Sequence, residues 1–433
     1  MTDTATLTSG QPGHPPTTPR IRWLPRLLRD RTFRRYFSAQ TVSMFGDEVT
    51  VLAIPLLAVL AVGAGPAEMG FLTAARLLPN LLFSLVAGAW ADRYPGKRRI
   101  MIVADLGRAA LLLTVPVMWW TGTLTLPWLA VISFGIGTLA VFFEVAHASL
   151  FASLVARPDY IDASALLNGS RAVSYVAGPS AGGLLVQILT APVALIADVV
   201  SYLASALFLA RIKPVEHTVS DGPGLGIGAG LRFVARSPIL RALLLSTTTL
   251  NLFNYMFAAL FVLYVTTELG ISPATLGLII GAGAAGALLG ATLTGRLSRR
   301  FGIGRTLVAG FITFTAPLML VPLAGGDHMV LVATLFAAEV LSAFGVMMLD
   351  ITAGSVQIAA TPRSMLSLVQ GAERTVNYGI RPIGAVIGGA LGTAIGIRPS
   401  LWIATVGALF GLIWIFFSPV PAVHDLPDEG EPA

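Results

Sequence analysis

Twelve apolar runs, each about 20 residues long, occupy most of this 433-residue chain. A helix of about 20 residues crosses the roughly 30 Å hydrocarbon core of a bilayer. Only 12% of the residues are charged, about half of the roughly 25% found in soluble domains, which is too few to cover a soluble surface. The runs lie near residues 37–60, 68–91, 100–120, 126–150, 165–188, 192–210, 240–265, 273–296, 305–323, 329–350, 374–396 and 399–418. The sequence therefore predicts an all-α integral membrane protein with twelve transmembrane helices, and it excludes a soluble enzyme.

The placement of lysine and arginine predicts how these spans are oriented. With the amino terminus inside, 22 of the 28 basic residues fall in cytoplasmic segments, whereas the opposite loops contain only Arg398. We therefore expect a multi-pass protein of the cell inner (cytoplasmic) membrane with both termini in the cytoplasm. The net charge of +6 then reflects topology, and no nucleic-acid partner is expected.

The chain divides into five segments by composition. Residues 1–35 combine a disordered Thr- and Pro-rich tail with a basic segment, Arg22–Arg35. This segment predicts either an amphipathic helix on anionic membrane lipids or a charged flank of the first span. The remaining segments are a six-helix half at 36–210, a glycine-rich cytoplasmic linker at 211–238, a second six-helix half at 239–418 and an acidic cytoplasmic tail at 419–433.

The two halves share an internal repeat at an offset of a little over 200 residues. Arg171-Ala-Val-Ser-Tyr175 followed by Gly178-Pro179 matches Arg374-Thr-Val-Asn-Tyr378 followed by Arg381-Pro382. Matched Arg, Tyr and Pro residues disfavour chance similarity between apolar segments. Two parallel repeats predict pseudo-symmetric halves about an axis along the membrane normal, a plan that secondary transporters use.

Several motifs resemble those of the major facilitator superfamily. The segment from Gly88 through Asp92 and Arg93 to Arg99 resembles the family's loop between spans two and three, with one additional residue. In the second half the corresponding loop contains Arg299 and Arg300, with Arg299 where the family's acid would stand.

Two further motifs narrow this resemblance to exporters. The run that contains Gly178, Pro179, Gly182 and Gly183 resembles the fifth-span motif of antiporters, although two upstream glycines of that motif appear as Ala165 and Ser174. The short segment around Asp105 and Arg108 most resembles sequences of the multidrug, macrolide and enterobactin exporter subfamily. The resemblance covers residues 32–418 and implies the major facilitator fold.

The resemblance implies a secondary active transporter that exports an amphipathic small molecule, such as a drug, macrolide or siderophore-like compound, by proton antiport through alternating access. An importer or uncoupled facilitator on the same fold remains an alternative. A non-transporting membrane scaffold would need an appended module, which the short tails do not supply. The chain contains no cysteine and no Walker A motif, so no enzymatic activity, metal or cofactor is expected. We expect a monomer whose partners are its substrate, protons and lipids.

Intramembrane carboxyl groups are candidates for proton coupling, because a charge at mid-helix costs about 2.5–3.5 kcal/mol. Asp47 and Arg76 both lie near the midplane of the bilayer and could meet on adjacent helices, which also allows a static ion pair. Glu48 points about 100° away from Asp47, so only one of the two is expected to face the cavity. Glu339 has no basic residue within its span. We predict coupling by Asp47 and Glu339, with Glu48 as the second choice.

Other charges lie nearer the cytoplasmic side. Asp105 and Arg108 are three residues apart and can pair. Intramembrane ion pairs are also expected for Glu144, Arg171, Arg374 and Arg381 at a similar depth, and for Arg76 near the midplane. The family resemblance implies that Gly88, Asp92 and Arg93 form a cytoplasmic gate against the start of the eleventh span. In the repeat, Arg299 and Arg300 make such a gate asymmetric. Depth alone suggests a substrate cavity lined by Phe45, Asn80, Phe253, Asn254 and Tyr255.

The small residues of the eleventh span recur every four positions. Gly384, Gly388, Gly392 and Gly396 therefore fall on one face of a helix. Such a stripe predicts close packing of helix backbones.

Overall fold

A computed structural model of the chain describes residues 26–93, 96–212, 227–362 and 364–423, and leaves the side chains of 85–86, 88–93 and 227 undescribed. Within these ranges the chain is helical and contains no strand. The predicted tail at 1–19, most of the glycine-rich linker and the acidic tail from 424 lie outside the described residues.

Long helices account for nearly all of the described chain. The first six are α1 (Arg31–Leu60), α2 (Pro66–Arg93), α3 (Lys97–Trp120), α4 (Leu126–Leu154), α5 (Tyr160–Leu189) and α6 (Ala191–Ala210). The rest are α7 (Ile227–Arg236), α8 (Pro238–Leu263), α9 (Pro273–Phe301), α10 (Ile303–Thr315), α11 (Leu320–Leu323), α12 (His328–Ala359), α13 (Leu366–Ile395), α14 (Ile397–Leu409) and α15 (Gly411–Phe416). A π-helical turn at Tyr264–Glu268 extends α8, and a 3-10 turn at Ala316–Met319 joins α10 to α11.

Ten helical segments in the described part of the chain are long and apolar enough to cross a membrane. Two other long helices, α2 with 28 residues and α13 with 30 residues, are not among these ten. The first 16 residues of α13 include Glu373, Arg374 and Arg381. The all-helical membrane class is therefore confirmed, whereas the count of twelve spans remains a prediction.

Local sequence signals explain where several helices begin and end. The Asp30 carboxylate accepts hydrogen bonds from the first turn of α1, and Ser272 caps α9 immediately before Pro273, both of which are preferred residues at these positions. Single-residue turns join α5 to α6 at Thr190 (φ 79°) and α13 to α14 at Gly396 (φ 93°). A positive φ suits glycine and strains threonine. Gly396 therefore ends α13 rather than extending its glycine stripe.

Helices of the first half pack mainly with one another, as do those of the second half. Helix α1 packs against α5 and α6, and α3 packs against α4 and α6. Helix α8 packs against α13 and α14, and α12 packs against α9 and α10. Two extensive contacts cross between these groups, α5 with α9 and α2 with α13. Below, the end of the bundle where α1 finishes is called the distal end, and the opposite end the proximal end.

Glycines bring both crossing pairs into backbone contact at the distal end. A Cβ atom added to Gly277 would lie 3.1 Å from the Cα of Gly183, and one added to Gly389 would lie 2.9 Å from the Cα of Gly70. These distances are shorter than the usual carbon–carbon contact of about 3.5–4.0 Å. Only glycine permits the helix backbones to approach this closely. The small-residue motifs of α5 and α13 therefore form the crossing contacts.

Each crossing contact also includes a hydrogen bond to the first turn of a helix. The backbone N–H of Ala67 in α2 donates to Thr393 Oγ1 of α13 over 3.1 Å, and the N–H of Ala274 in α9 donates to Gln187 Oε1 of α5 over 3.1 Å. Such N–H groups have no partner within their own helix. The two crossing contacts therefore contain equivalent hydrogen bonds, from a first-turn N–H to a side-chain oxygen, at positions a little over 200 residues apart.

Three segments outside the predicted spans contain packed residues. Leu27 and Leu28 are partly buried against the core cluster that contains Phe33, which is 2% exposed. Within the predicted linker, α7 is helical because Val234 is buried against α8 and α13. The predicted acidic tail begins with a packed turn, since Val420 is fully buried.

Candidate functional site

A polar cavity of about 270 Å³ lies among α1, α3, α4 and α5. Charged groups inside an apolar bundle are costly, so their concentration at one place indicates a functional site. The titratable residues that line the cavity are Asp47, Glu48, Arg108, Glu144, Arg171 and Tyr175. Among the described residues no cluster of acids and histidines could hold a metal ion.

Two carboxylates share one buried guanidinium at the inner wall of this cavity. Arg108 of α3 is bonded to Asp105 on the same helix, and its Nη1 lies 3.5 Å from Asp47 Oδ1. The Arg108 side chain is 3% exposed, whereas that of Asp47 is 40% exposed. The guanidinium also stacks on the rings of Phe143 and Tyr202, 4.5 and 4.4 Å from their centroids. Asp47 is therefore the most exposed of the three charged groups in this cluster.

The predicted pairing of Asp47 with Arg76 is wrong. Asp47 takes its ion pair from α3 and a hydrogen bond of 2.5 Å from the Tyr202 hydroxyl of α6. Sequence reasoning assumed that consecutive helices are neighbours at the midplane. In the bundle, α6 packs against both α1 and α3, and its Tyr202 contacts both Asp47 and Arg108. Arg76 of α2 instead interacts electrostatically with Glu48.

Asp198 of α6 lies in the protein interior beside this cluster. It is fully buried, and its carboxylate accepts hydrogen bonds from the hydroxyls of Thr50 and, over 2.6 Å, Ser201. Gly46 of α1 leaves the space that this carboxyl occupies, because a Cβ at Gly46 would collide with it. From the sequence, Asp198 is a weaker candidate for proton coupling because it lies toward the outer side; its place beside this cluster was not predicted. The available signal was the spacing of Asp198 and Tyr202, four residues apart on one face of an apolar helix.

Glu48 lines the same cavity as Asp47, contrary to the expectation that only one of them would face it. The two side chains point in different directions, but the cavity curves around α1 from α3 to α5. Glu48 packs against Gly178 of α5, where a larger side chain would displace it. The antiporter-like motif thus contacts α1 through Gly178 and, at Val49, Gly182.

The same motif contacts the second half at its distal end. Gly183 packs against Gly277 of α9, and the Pro179 carbonyl lies against that same glycine. These residues line the crossing contact and not the polar cavity.

Glu339 of α12 lies far along the chain from these groups, at the contact of α12 with α9. Its Oε1 would be 3.0 Å from a Cβ on Gly283. Neither a hydrogen bond nor an ion pair joins it to another described residue. The structure therefore does not bring Glu339 together with Asp47.

The second half contains a cationic and aromatic cluster between α8 and α13. The Arg381 guanidinium lies between two tyrosine rings, 4.1 Å from the centroid of Tyr378 and 5.1 Å from that of Tyr255. Its Nε donates to Asn251 Oδ1 over 3.0 Å. Arg374 stacks on the same Tyr378 ring at 5.3 Å.

Most of the predicted intramembrane ion pairs are absent from the described part of the chain. Arg108 is the cation of both pairs found there, with Asp105 and Asp47. The remaining predicted members have no oppositely charged group within 4 Å among the described residues; they are Arg76, Glu144, Arg171, Arg374 and Arg381.

The predicted substrate-lining residues are only partly brought together. Tyr255 contacts Arg381, whereas Phe253 packs against Gly407 of α14, because two residues along a helix turn by about 200°. Phe45, Asn80 and Asn254 are partly buried on α1, α2 and α8. A separate apolar cavity of about 670 Å³ lies among α2, α4 and α13 and contains no titratable group.

The predicted cytoplasmic gate is described only in its second copy. Gly88, Asp92 and Arg93 end α2, but their side chains lie outside the described residues. Arg299 and Arg300 occupy the last turn of α9, and Arg300 packs over the Phe301 ring at 5.2 Å.

Comparison with known proteins places this arrangement in a family. The model of the transmembrane secretion effector family, within the major facilitator superfamily, matches residues 23–430. The chain belongs to this family. It is therefore a multi-pass membrane transport protein and not an enzyme, and the predicted membership of the superfamily is confirmed.

Relatives and solved structures agree with this assignment. The chain is 24% identical to the multidrug efflux pump Tap of Mycolicibacterium fortuitum over 413 residues, covering 92% of this chain and 97% of that protein. It is 27% identical to the class G tetracycline resistance protein of Vibrio anguillarum, covering 84% and 89%. A bacterial homologue of the iron transporter ferroportin in an inward-facing state aligns with a TM-score of 0.75 at 16% identity, covering 90% of this chain and 99% of that one. The predicted resemblance to multidrug exporters is confirmed.

Proposed function

We propose that this protein exports drug-like amphipathic small molecules from the cytoplasm in exchange for protons, by alternating access. The names of the efflux and resistance relatives support the export of drugs. The observation that carries the proposal is the polar cavity, where Asp47 is half-exposed while its cation, Arg108, is buried. The separate apolar cavity among α2, α4 and α13 supports an amphipathic substrate.

The proposed topology has twelve spans in two pseudo-symmetric halves, 36–210 and 239–418, with α2 and α13 crossing the membrane as well. Their lengths of 28 and 30 residues support this, because about 20 residues suffice. The matching glycine contacts and hydrogen bonds at the distal end support the symmetry. The basic residues of the proximal loops support a cytoplasmic proximal end and cytoplasmic termini.

Asp47 is the proposed proton-coupling residue. A carboxyl group withdrawn from water favours its neutral form, whereas a nearby arginine favours the carboxylate. Opening and closing of the cavity would change how far the Asp47 carboxyl is withdrawn from water, while Arg108 and Tyr202 hold that carboxyl in place. Glu48 in the same cavity and Glu339 on α12 are further proposed proton sites.

The proposed cytoplasmic gate comprises Gly88, Asp92 and Arg93, with Arg299 and Arg300 in the second half. Asp92→Asn should slow the switching between states and leave substrate binding intact. Unchanged turnover with weakened binding would contradict this role.

A transport assay in proteoliposomes tests the proposed coupling. Purified protein is reconstituted with ethidium outside and an acidic lumen, and net dye movement is followed after the pH gradient is imposed. We expect the wild type to accumulate dye, Asp47→Asn to lose gradient-driven movement, and Asp162→Asn, an exposed acid in the first turn of α5, to behave as the wild type. Gradient-driven movement that persists in both Asp47→Asn and Glu339→Gln would contradict the assignment.

The same experiment distinguishes the alternative of an importer or an uncoupled facilitator. An uncoupled facilitator would let dye equilibrate at the same rate with and without the gradient. An importer coupled to protons would move dye in the same direction as the protons. Either result would overturn antiport while leaving the membrane topology in place.

A further inference from the structure

The Arg381 guanidinium in the second half has an unusual set of partners. It packs over two tyrosine rings, with its Cζ 4.1 Å from the centroid of Tyr378 and 5.1 Å from that of Tyr255. Its Nε is bonded to Asn251. The two terminal nitrogens, which form the planar fork that suits carboxylates, have no hydrogen-bond partner among the described residues. The side of the guanidinium that best recognises an oxyanion therefore has no acceptor bonded to it in the described part of the chain.

The surrounding network holds this guanidinium in a fixed orientation. The Asn251 amide donates to the Thr247 carbonyl over 2.8 Å and to Asn377 Oδ1 over 3.4 Å, and Thr248 donates to the same Asn377 oxygen over 3.4 Å. Because Asn251 is anchored, the hydrogen bond to Nε fixes the plane of the Arg381 fork. A preorganised donor loses little freedom when a ligand binds.

No protein carboxylate neutralises Arg381 directly. Within the described residues no acidic oxygen lies within 4 Å of it. Asp350 of α12 is close enough only to interact electrostatically. A cation at mid-helix without a paired acid is costly, which favours a role in which the counter-charge comes from a ligand.

The depth of Arg381 indicates what kind of anion reaches it. Arg381 lies 14 residues before the end of α13 at Ile395 and 15 residues after its start at Leu366, which is about 20 Å from either end. A lipid headgroup stays near the membrane surface, so its phosphate does not reach this position. Tyr378 also interacts electrostatically with Tyr175, which lines the polar cavity. This interaction places Tyr378 near the polar cavity, where the proposed function would put a transported molecule.

We propose that Arg381, Tyr255 and Tyr378 form a binding site for an ionised oxygen group of the transported compound, a carboxylate, phenolate or enolate attached to an apolar or aromatic body. The oxyanion bonds to the terminal nitrogens, since Nε is already bonded to Asn251 and the tyrosine rings pack against the guanidinium. This inference rests on the proposed function, because it names the chemistry of the exported compound. Amphipathic acids and zwitterions are thus preferred over otherwise identical esters.

Equilibrium binding of a matched dye pair tests this site without any ion gradient. The probes are rhodamine B, which carries a free carboxylate, and its ethyl ester, which shares the same xanthene ring system. Fluorescence anisotropy gives the Kd of each for purified protein in phosphatidylcholine nanodiscs. Hydrogen bonds to a charged group predict that the wild type binds the acid about tenfold or more tightly than the ester.

The variant Arg381→Gln should remove this preference and change the Kd of the ester by less than about threefold, well below the tenfold effect expected for a charge-assisted bond. Arg374→Gln is the matched control, since that arginine stacks on the same ring but lies about 10 Å nearer the proximal end, and it should retain the preference. Retained binding of the ester also reports that the variant is folded. A wild type without preference for the acid, or an equal loss of both dyes in Arg381→Gln, overturns the proposal.

The binding experiment and the transport assay can fail independently of each other. Loss of gradient dependence in the proteoliposome assay, with acid preference retained at equilibrium, rejects proton coupling and supports the anion site. Gradient-driven transport of both dyes by Arg381→Gln with unchanged preference rejects the anion site and supports the coupling.

Discussion

Adding one methyl group at Gly389 tests whether the distal contact between α2 and α13 controls the conformational state. A Cβ at this position would lie 2.7 Å from the Pro66 carbonyl oxygen and 2.9 Å from the Gly70 Cα. Both neighbours are backbone atoms, so no side chain can rotate away. Overpacking of this kind costs about 1–3 kcal/mol, which shifts an equilibrium by about 5–150-fold. If the contact exists only when the distal side is closed, Gly389→Ala should favour distal opening by that factor.

A control within the same helix isolates the steric effect. Gly371 also lies in α13, but a Cβ there would meet nothing within 4 Å. Replacing glycine by alanine inside a helix stabilises it by about 1 kcal/mol at both positions. The difference between Gly389→Ala and Gly371→Ala therefore reports the contact alone.

The absence of native cysteine makes the measurement direct. Cysteines placed at the exposed positions Glu68 in α2 and Ile395 in α13 carry spin labels, and double electron–electron resonance gives the distribution of distances between them. We expect Gly389→Ala to enlarge the long-distance population and Gly371→Ala to leave it unchanged. Indistinguishable distributions in the two variants would refute the reasoning. Gly183→Ala, which meets Gly277 in the other crossing contact, should reproduce the shift independently.

Other substitutions probe the buried network through the midpoint of thermal unfolding in detergent. Tyr202→Phe removes the hydroxyl that donates to Asp47 and should lower stability by about 1.5–3 kcal/mol; an unchanged midpoint would argue against that hydrogen bond. Asp105→Ala deprives buried Arg108 of its bonded acid and should cost about 3–5 kcal/mol, whereas a smaller loss than that of Tyr202→Phe would contradict the shared ion pair. Thr190→Gly removes the strain of a positive φ and should stabilise the protein by about 1 kcal/mol or more; a lower midpoint would show that the threonine is not strained.

The local features of the chain could be predicted because they depend on residues close in sequence. Hydropathy over about 20 residues identifies a span, and each of the twelve predicted runs overlaps a helical segment of the structure. The Asp105–Arg108 pair was predictable from a spacing of three residues on one helix, and it is formed. The glycine spacing likewise predicted close backbone packing at Gly384 and Gly388, which meet α8.

The partners of Asp47 could not be predicted in this way. Depth along a helix gives the height of a side chain in the membrane but not the neighbour that it faces. Arg76 and Arg108 are both intramembrane arginines, and the choice between them depends on α6, which packs against both α1 and α3. The role of Tyr202 and the burial of Asp198 have the same origin, because both lie on α6 where it meets α1.

The sequence by itself determined the membrane class, the repeat, the family resemblance and the list of charged residues that an apolar bundle must accommodate. Each of these follows from composition or from spacing along the chain. The tertiary structure decided which charges meet: Asp47 and Asp105 on Arg108, Asp198 on hydroxyls, and Arg381 between two tyrosines. The physical reason is that pairing energies depend on distances of a few ångströms between helices that are remote in sequence, and only the packed bundle sets those distances.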